Sequence, residues 1–191
     1  MANYEPVDWV APRKDEIFLD IGGYIGWYTI RAAKAVGTSG KVIALEPDDL
    51  NRMQLETNLK LNHLQNVQVL SSAIWSSSGE VCWRHESQPV WHRVDQSETG
   101  EFREAISVDD LVTKMGLTRL DWIKMDIEGG EVQALQGAAR TLRLHRPALF
   151  IEIHKTREQA GTILRELGYV IEREQYDERP DLHGWILAKS R

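Results

Sequence analysis

Cysteine is almost absent: Cys82 is the single one in 191 residues. That excludes an intramolecular disulfide and a zinc site built on several thiolates. Positive charge is also scarce. With 23 Lys and Arg against 29 Asp and Glu the formal net charge is -6. This argues against general nucleic-acid binding, because neutralising phosphates takes a basic surface, so no nucleic-acid partner is expected. No apolar run approaches the roughly 20 residues that span a bilayer. The first residues, Met1 to Pro6, also lack the basic-then-apolar pattern of a signal peptide. The expectation is a soluble, cytoplasmic protein with no membrane span. Neither a repeat nor a low-complexity linker divides the chain, so residues 1–191 read as one domain.

What is present is an alternation of short apolar runs with segments of helical period, the pattern of an α/β fold on a mainly parallel sheet. Ile17 to Ile21 reads as the first strand and Trp27 to Val36 as a helix closed by Gly37 and Gly40. A second strand follows over Lys41 to Glu46. The next helix runs to about Leu61, with Leu50, Met53, Leu55, Leu59 and Leu61 as its expected apolar face. Val67 to Leu70, Trp122 to Asp126 and Ala148 to Ile153 are further strands, and Tyr169 to Ile171 and Gly184 to Ala188 close a seven-stranded, doubly wound sheet. One helix from about Glu131 to Leu142 is expected to cross between the Trp122 and Ala148 strands. Ser107 reads as a helix N-cap, with Asp109 and Asp110 in the first turn. Between Gly79 and Ala105 the pattern lapses. Residues 84–102, carrying His85, Trp91, His92 and Arg93, read as a hairpin or a lid on the acceptor side, with a solvated hairpin tip as the plainer alternative.

In a doubly wound sheet, ligands bind beyond the carboxyl ends of the strands. Asp20-Ile21-Gly22-Gly23-Tyr24-Ile25-Gly26 lies at such an end, where glycine lets a ligand approach the backbone. A glycine turn alone says little, since several nucleotide-binding folds use one. Glu46, at the end of the second strand, adds a carboxylate able to accept both ribose hydroxyls of an adenosine. Asp20 would repel a pyrophosphate but suits an amino group and a sulfonium, which favours S-adenosyl-L-methionine over NAD. The Gly-x-Gly-x-x-Gly spacing of dinucleotide folds is missing too. Ala73 leaves room for an adenine ring and Trp75 could lie against it, although core packing explains Trp75 as well.

Lys124-Met125-Asp126-Ile127-Glu128-Gly129-Gly130-Glu131 is the most distinctive stretch. Carboxylates crowd the end of an apolar strand, which is costly unless they meet a cation or backbone donors. Glu131 has a plain explanation in the start of a helix; Asp126 and Glu128 do not. Together with Phe18 to Gly22, Gly26 to Thr29, Val42 to Pro47 and Glu152-Ile153-His154, this stretch resembles the FkbM-type methyltransferase family. The resemblance runs from about Tyr4 to His154, with Ser107 to Leu111 as a looser match. It implies a Rossmann-like class I methyltransferase fold, S-adenosyl-L-methionine as donor, and transfer to a hydroxyl oxygen of a sugar, lipid or secondary metabolite. By the same route Asp20, Gly22, Gly26 and Glu46 are implied cofactor contacts, and Asp126 is placed at the cofactor–acceptor junction. Gly23-Tyr24 stands where the family commonly has Ala-Asn, so any contact from these two residues is this chain's own.

A hydroxyl acceptor needs help in losing its proton, from a base or a metal ion. Glu152 and His154, two apart on a strand, project to one face near Asp126. His154 is the candidate base or acceptor anchor, with Glu152 and Asp126 orienting it or the substrate. A divalent ion such as Mg²⁺ on Asp126, Glu152 and His154 is a further arrangement, not the favoured one. Two other functions compete: a degenerate fold kept for binding a partner, and, less favoured, an NAD-linked oxidoreductase.

Overall fold

The computed structural model describes residues 5–85, 92–95, 101–177 and 183–190. In chain order the elements are β1 (Ile17–Ile21), α1 (Trp27–Val36), β2 (Lys41–Leu45), α2 (Asp49–Leu61), β3 (Val67–Leu70) and β4 (Ala73–Ile74). Next come β5 (Gly79–His85), β6 (His92–Asp95), β7 (Glu101–Ile106), α3 (Val108–Lys114), β8 (Trp122–Met125), α4 (Glu131–Gln136) and α5 (Ala139–His145). The chain closes with β9 (Ala148–His154), α6 (Arg157–Glu166), β10 (Tyr169–Tyr176) and β11 (His183–Ser190).

The main sheet has seven strands in the order β10-β11-β9-β8-β1-β2-β3. β3, β2, β1, β8 and β9 are parallel, and β11 inserts antiparallel between β9 and β10. The sheet is buried on both sides, as the apolar runs predict for parallel strands. Leu19, Ile21, Ile43, Ile123 and Ile151 pack with Leu111, Leu135, Leu142 and Leu164 of the helices on one side. Phe18, Val42 and Trp122, at alternate positions, pack with Ala32, Ala33 and Val36 of α1 on the other. Among the described residues no helix is long and apolar enough to cross a membrane.

Three expectations change. On α2 only Leu55 and Leu59 are buried. Leu50, Met53 and Leu61 are 76%, 64% and 72% exposed, so the apolar stripe is one row wide. The single helix expected over Glu131 to Leu142 is broken at Gly137-Ala138. There a Cβ on Gly137 would lie 2.3 Å from the Trp75 carbonyl oxygen. The second half, α5, has no cap of its own; Asp109 supplies it from α3, accepting the backbone N–H of Arg140 (3.0 Å) and Thr141 (2.7 Å). Finally, the described strands between Gly79 and Ala105 belong to a second sheet of four strands, β4-β7-β5-β6. β5 and β6 pair antiparallel from Cys82↔Asp95 to His85↔His92. Trp91 lies outside the described residues.

Candidate active site

The turn after β1 is fixed by its backbone. The N–H groups of Gly22 and Gly23 both donate to the Leu45 carbonyl, at 3.1 and 2.9 Å. Gly22 has φ +80 and stands so close to the next loop that a Cβ there would lie 1.9 Å from the Asp126 carbonyl oxygen. No other residue type fits both conditions. Gly26, at φ +98, leads into α1 against Leu55. Between them Tyr24 adopts φ +46 and is 40% exposed, while its N–H donates to Glu46 Oε2 at 2.8 Å. Gly23 has room for a methyl group, and Tyr24 sits in the left-handed region that asparagine tolerates best. The family's Ala-Asn would fit this same backbone.

The turn forms one wall of a cleft with about 570 Å³ of empty space, part of it open to solvent. Leu45, Glu46, Pro47, Ala73, Asp126 and Glu128 are among its lining residues. It lies at the carboxyl ends of β1, β2 and β8, where ligands of doubly wound sheets bind. Glu46 is nearly buried, and its second oxygen accepts the Asp48 N–H at 2.9 Å. Ala73 is on the lining, as expected. Trp75 is not: its side chain packs with Ala73, Val81 and Ala105 and backs onto Gly130.

Asp20, on β1 just before the turn, is not among the residues lining the cleft. It is fully buried, takes a 2.5 Å hydrogen bond from Thr29 at Oδ2, and faces the Lys124 ammonium at 3.5 Å through Oδ1. The sheet register makes Asp20 and Lys124 neighbours on β1 and β8. Lys124 Nζ also donates to the Gly22 carbonyl at 2.8 Å and lies 3.8 Å from Asp126 Oδ2. Burial works against its charge, but the carboxylates of Asp20, Asp126 and Glu152 outweigh that and hold its pKa above the usual lysine value. Lys124 therefore ties strand, turn and acidic loop together. Its signal in the sequence was a lone cation inside an apolar strand.

Beyond Asp126 the acidic stretch runs into a cluster of carboxylates and histidines. Glu131 is fully buried and accepts three hydrogen bonds, from the Gly129 N–H (2.8 Å), Thr156 Oγ1 (2.7 Å) and His154 Nδ1 (3.1 Å). It is an anchor, which the helix-start explanation overlooked. His154 Nε2 lies 3.3 Å from Glu128 Oε2 and 3.8 Å from Glu152 Oε1. Glu152 Oε1 is 2.6 Å from His183 Nε2, and His183 Nδ1 is 2.7 Å from Asp177 Oδ2. His183 carried no local signal: antiparallel pairing of β11 with β9 sets it opposite His154. Burial opposes a charge on His154, but the Glu131 hydrogen bond and the charges of Glu128, Glu131 and Asp126 overcome it and hold its pKa at about 9. With its pKa there, the His154 ring is a hydrogen-bond donor at neutral pH. Burial first, then Asp126, raises Glu152 to about 7.

Residues 20–179 match the model of the methyltransferase FkbM domain. The chain belongs to the FkbM methyltransferase family. Among solved structures it is similar to the methyltransferase FkbM of Methylobacillus flagellatus KT, with TM-score 0.65, 24% identity and 92% of this chain covered. The chain spans 44% of that protein's length. A SAM-dependent methyltransferase from Aquifex aeolicus gives TM-score 0.55 at 16% identity, covering 96% of this chain and 86% of its own. Aeropyrum pernix fibrillarin, solved with natively bound S-adenosyl-L-methionine, gives 0.57 at 13% identity, covering 94% and 68%. These likenesses establish the Rossmann-like class I methyltransferase fold. No protein of curated function matches the sequence.

One pH effect follows from the cleft. Burial raises Glu46 to about 7, against the opposing hydrogen bonds from the Asp48 and Tyr24 N–H groups. The folded chain therefore holds this proton more tightly than the unfolded chain does. The resulting stabilisation is complete below the ordinary glutamate value near 4.5 and is lost as pH rises through about 7. The stability difference between the ligand-free wild type and Glu46→Gln is expected to move by about 2–3 kcal/mol between pH 4.5 and 8, the wild type losing ground as pH rises. Urea denaturation of both proteins across that range is the measurement.

Proposed function

We propose that this family member binds S-adenosyl-L-methionine in the cleft and methylates a hydroxyl oxygen of a small-molecule or glycan acceptor. The observation that carries the reading is the continuity of the two halves of the site: Asp126 lines the cleft and also lies within reach of Glu128 and His154. The cleft thus opens onto a cluster of charged groups suited to holding a hydroxyl. The residues fit the cofactor. Glu46 offers oxygen lone pairs for ribose hydroxyls, Ala73 leaves room for adenine, and Asp126 and Glu128 favour a cationic ligand. Of the turn residues, Gly22 lines the cleft and presents backbone rather than bulk, while Gly23 and Gly26 are buried against Leu55 and the Tyr24 side chain is exposed. Asp20, with Lys124, acts by holding that turn, and Trp75 by backing Gly130. Bound there, the cofactor supplies an electrophilic methyl group on a sulfonium.

Glu152 and His154 hold the acceptor, and positioning supplies most of the acceleration. Asp126, on the cleft lining, would take the proton that the acceptor hydroxyl loses to methylation. Calorimetric titration should show binding of S-adenosylmethionine and S-adenosylhomocysteine and none of NAD. Transfer of labelled methyl to a panel of sugar, lipid and phenolic hydroxyls then identifies the acceptor. Asp126→Asn is expected to lower turnover by about 10²–10⁴-fold, the range of general-base catalysis. Binding of NAD instead, or turnover by Asp126→Asn within threefold (roughly 0.7 kcal/mol) of wild type, would overturn the reading.

A further inference from the structure

We propose that Glu152, His154 and His183 form a site for one divalent transition-metal ion, with Glu128 as an adjacent fourth donor. Each of the three offers a donor atom within 4.8 Å of the others. Glu152 Oε1 is 2.6 Å from His183 Nε2 and 3.8 Å from His154 Nε2, and Glu128 Oε2 is 3.3 Å from His154 Nε2. Ligands about 2.1 Å from a common ion stand roughly 3.0–3.4 Å apart in octahedral or tetrahedral geometry, so these spacings bracket what coordination requires.

The second observation is how the rings are aimed. Histidines that bind metal almost always give their other nitrogen to a carboxylate or carbonyl, which fixes tautomer and orientation. Both histidines here do so: His154 Nδ1 meets Glu131 and His183 Nδ1 meets Asp177. Both Nε2 atoms are thereby turned onto the Glu152 carboxylate. Glu131 is itself held by the Gly129 N–H and Thr156 Oγ1, and the two histidines stand opposite each other on paired strands, so the arrangement is rigid. An ion would take the Nε2 lone pairs that protons occupy without it.

Charge points the same way. Glu128, Glu131, Glu152 and Asp177 surround two histidines, and Asp126 beside them is paired with Lys124, so an excess of negative charge remains that a divalent ion would offset. Two imidazoles favour zinc, cobalt, nickel, manganese or ferrous iron over magnesium or calcium, which prefer all-oxygen sites. The side chains of Glu128 and His183 remain 23% and 29% exposed, leaving a side open for an ion and a further ligand. Resting on the methyl-transfer reading, that further ligand is the acceptor hydroxyl oxygen, and Asp126 remains the proton acceptor.

The test is metal binding by the full chain, stripped with EDTA and titrated with Co²⁺, Zn²⁺ and Mg²⁺, read by calorimetry and cobalt visible absorption. One equivalent of Co²⁺ or Zn²⁺ is expected, with Mg²⁺ at least about 100-fold weaker. His183→Ala should weaken Co²⁺ binding by about 100-fold or more, and Asp177→Asn, which keeps the ligands, by about 10-fold. S-Adenosylhomocysteine binding by the stripped chain serves as the independent readout of the cofactor cleft. If it fails while cobalt binds, the methyl-transfer reading falls and the metal site stands. Substoichiometric cobalt in the wild type, or equal cobalt affinity in folded His183→Ala, would overturn the metal site.

Discussion

The Gly22→Ala protein is expected to lose at least about 3 kcal/mol of stability and to bind no S-adenosylhomocysteine at concentrations that saturate the wild type. Two penalties coincide at this residue. Its φ of +80 lies where an L side chain is strained, and the new methyl would sit 1.9 Å from the Asp126 carbonyl oxygen. That oxygen belongs to backbone, and the Asp126 N–H is itself bonded to the Ile21 carbonyl at 3.0 Å, so neither loop can yield alone. Separation of the two loops displaces the Gly22 carbonyl from Lys124 and opens the cleft wall. Incompatible glycine replacements cost more than the gain of about 0.4–1 kcal/mol that compatible ones bring. Gly23→Ala is the control. Its φ lies outside the left-handed region, and the nearest atom to an added methyl, Leu55 Cδ2, is at 3.4 Å. That variant should be neutral or more stable by up to about 1 kcal/mol. Urea midpoints and ligand titrations on the pair separate backbone geometry from glycine content. A Gly22→Ala protein as stable as Gly23→Ala would contradict the backbone account.

Lys124→Met carries the second large effect, a loss of about 3–5 kcal/mol, the usual cost of removing one partner of a buried ion pair. Asp20 would keep its carboxylate at full burial with Thr29 as its remaining hydrogen-bond donor, and the Gly22 carbonyl would lose the ammonium. Asp20→Asn in the same chain removes the stranded charge. The double variant should therefore be more stable than the sum of the single losses predicts, by about 1–3 kcal/mol, as residues sharing one network do. Denaturant midpoints of the four proteins give that coupling directly. Strict additivity would mean that Lys124 acts on the turn alone and that Asp20 is neutralised in some other way.

Both effects arise within a frame that the sequence declares locally. The parallel core strands read as apolar runs because both of their faces are buried. The turn at Gly22 to Gly26 was legible because positive φ and backbone contact leave glycine as the residue that fits. Glu46 and Ala73 were found from the rule that ligands sit beyond the carboxyl ends of strands, and both line the cleft. Asp126 and Glu128 drew notice because charge at the end of an apolar strand is costly without a partner, and Glu152 and His154 because residues two apart on a strand share a face.

The partners themselves required the fold. Lys124 meets Asp20 because β8 pairs with β1 in one register. His183 meets Glu152 because β11 turns back beside β9. Asp109, which reads as the first-turn acid of its own helix, caps a different one. The sequence by itself determined the layering of the fold, the glycine turn and the stretch where acidic charge gathers, since propensity and periodicity act between residues a few positions apart. Tertiary structure alone decided which cation balances Asp20, which carboxylates favour the protonated form of His154 and which second histidine completes the cluster. Those pairings join residues distant in the chain, and their energies depend on burial and on distances that strand register sets.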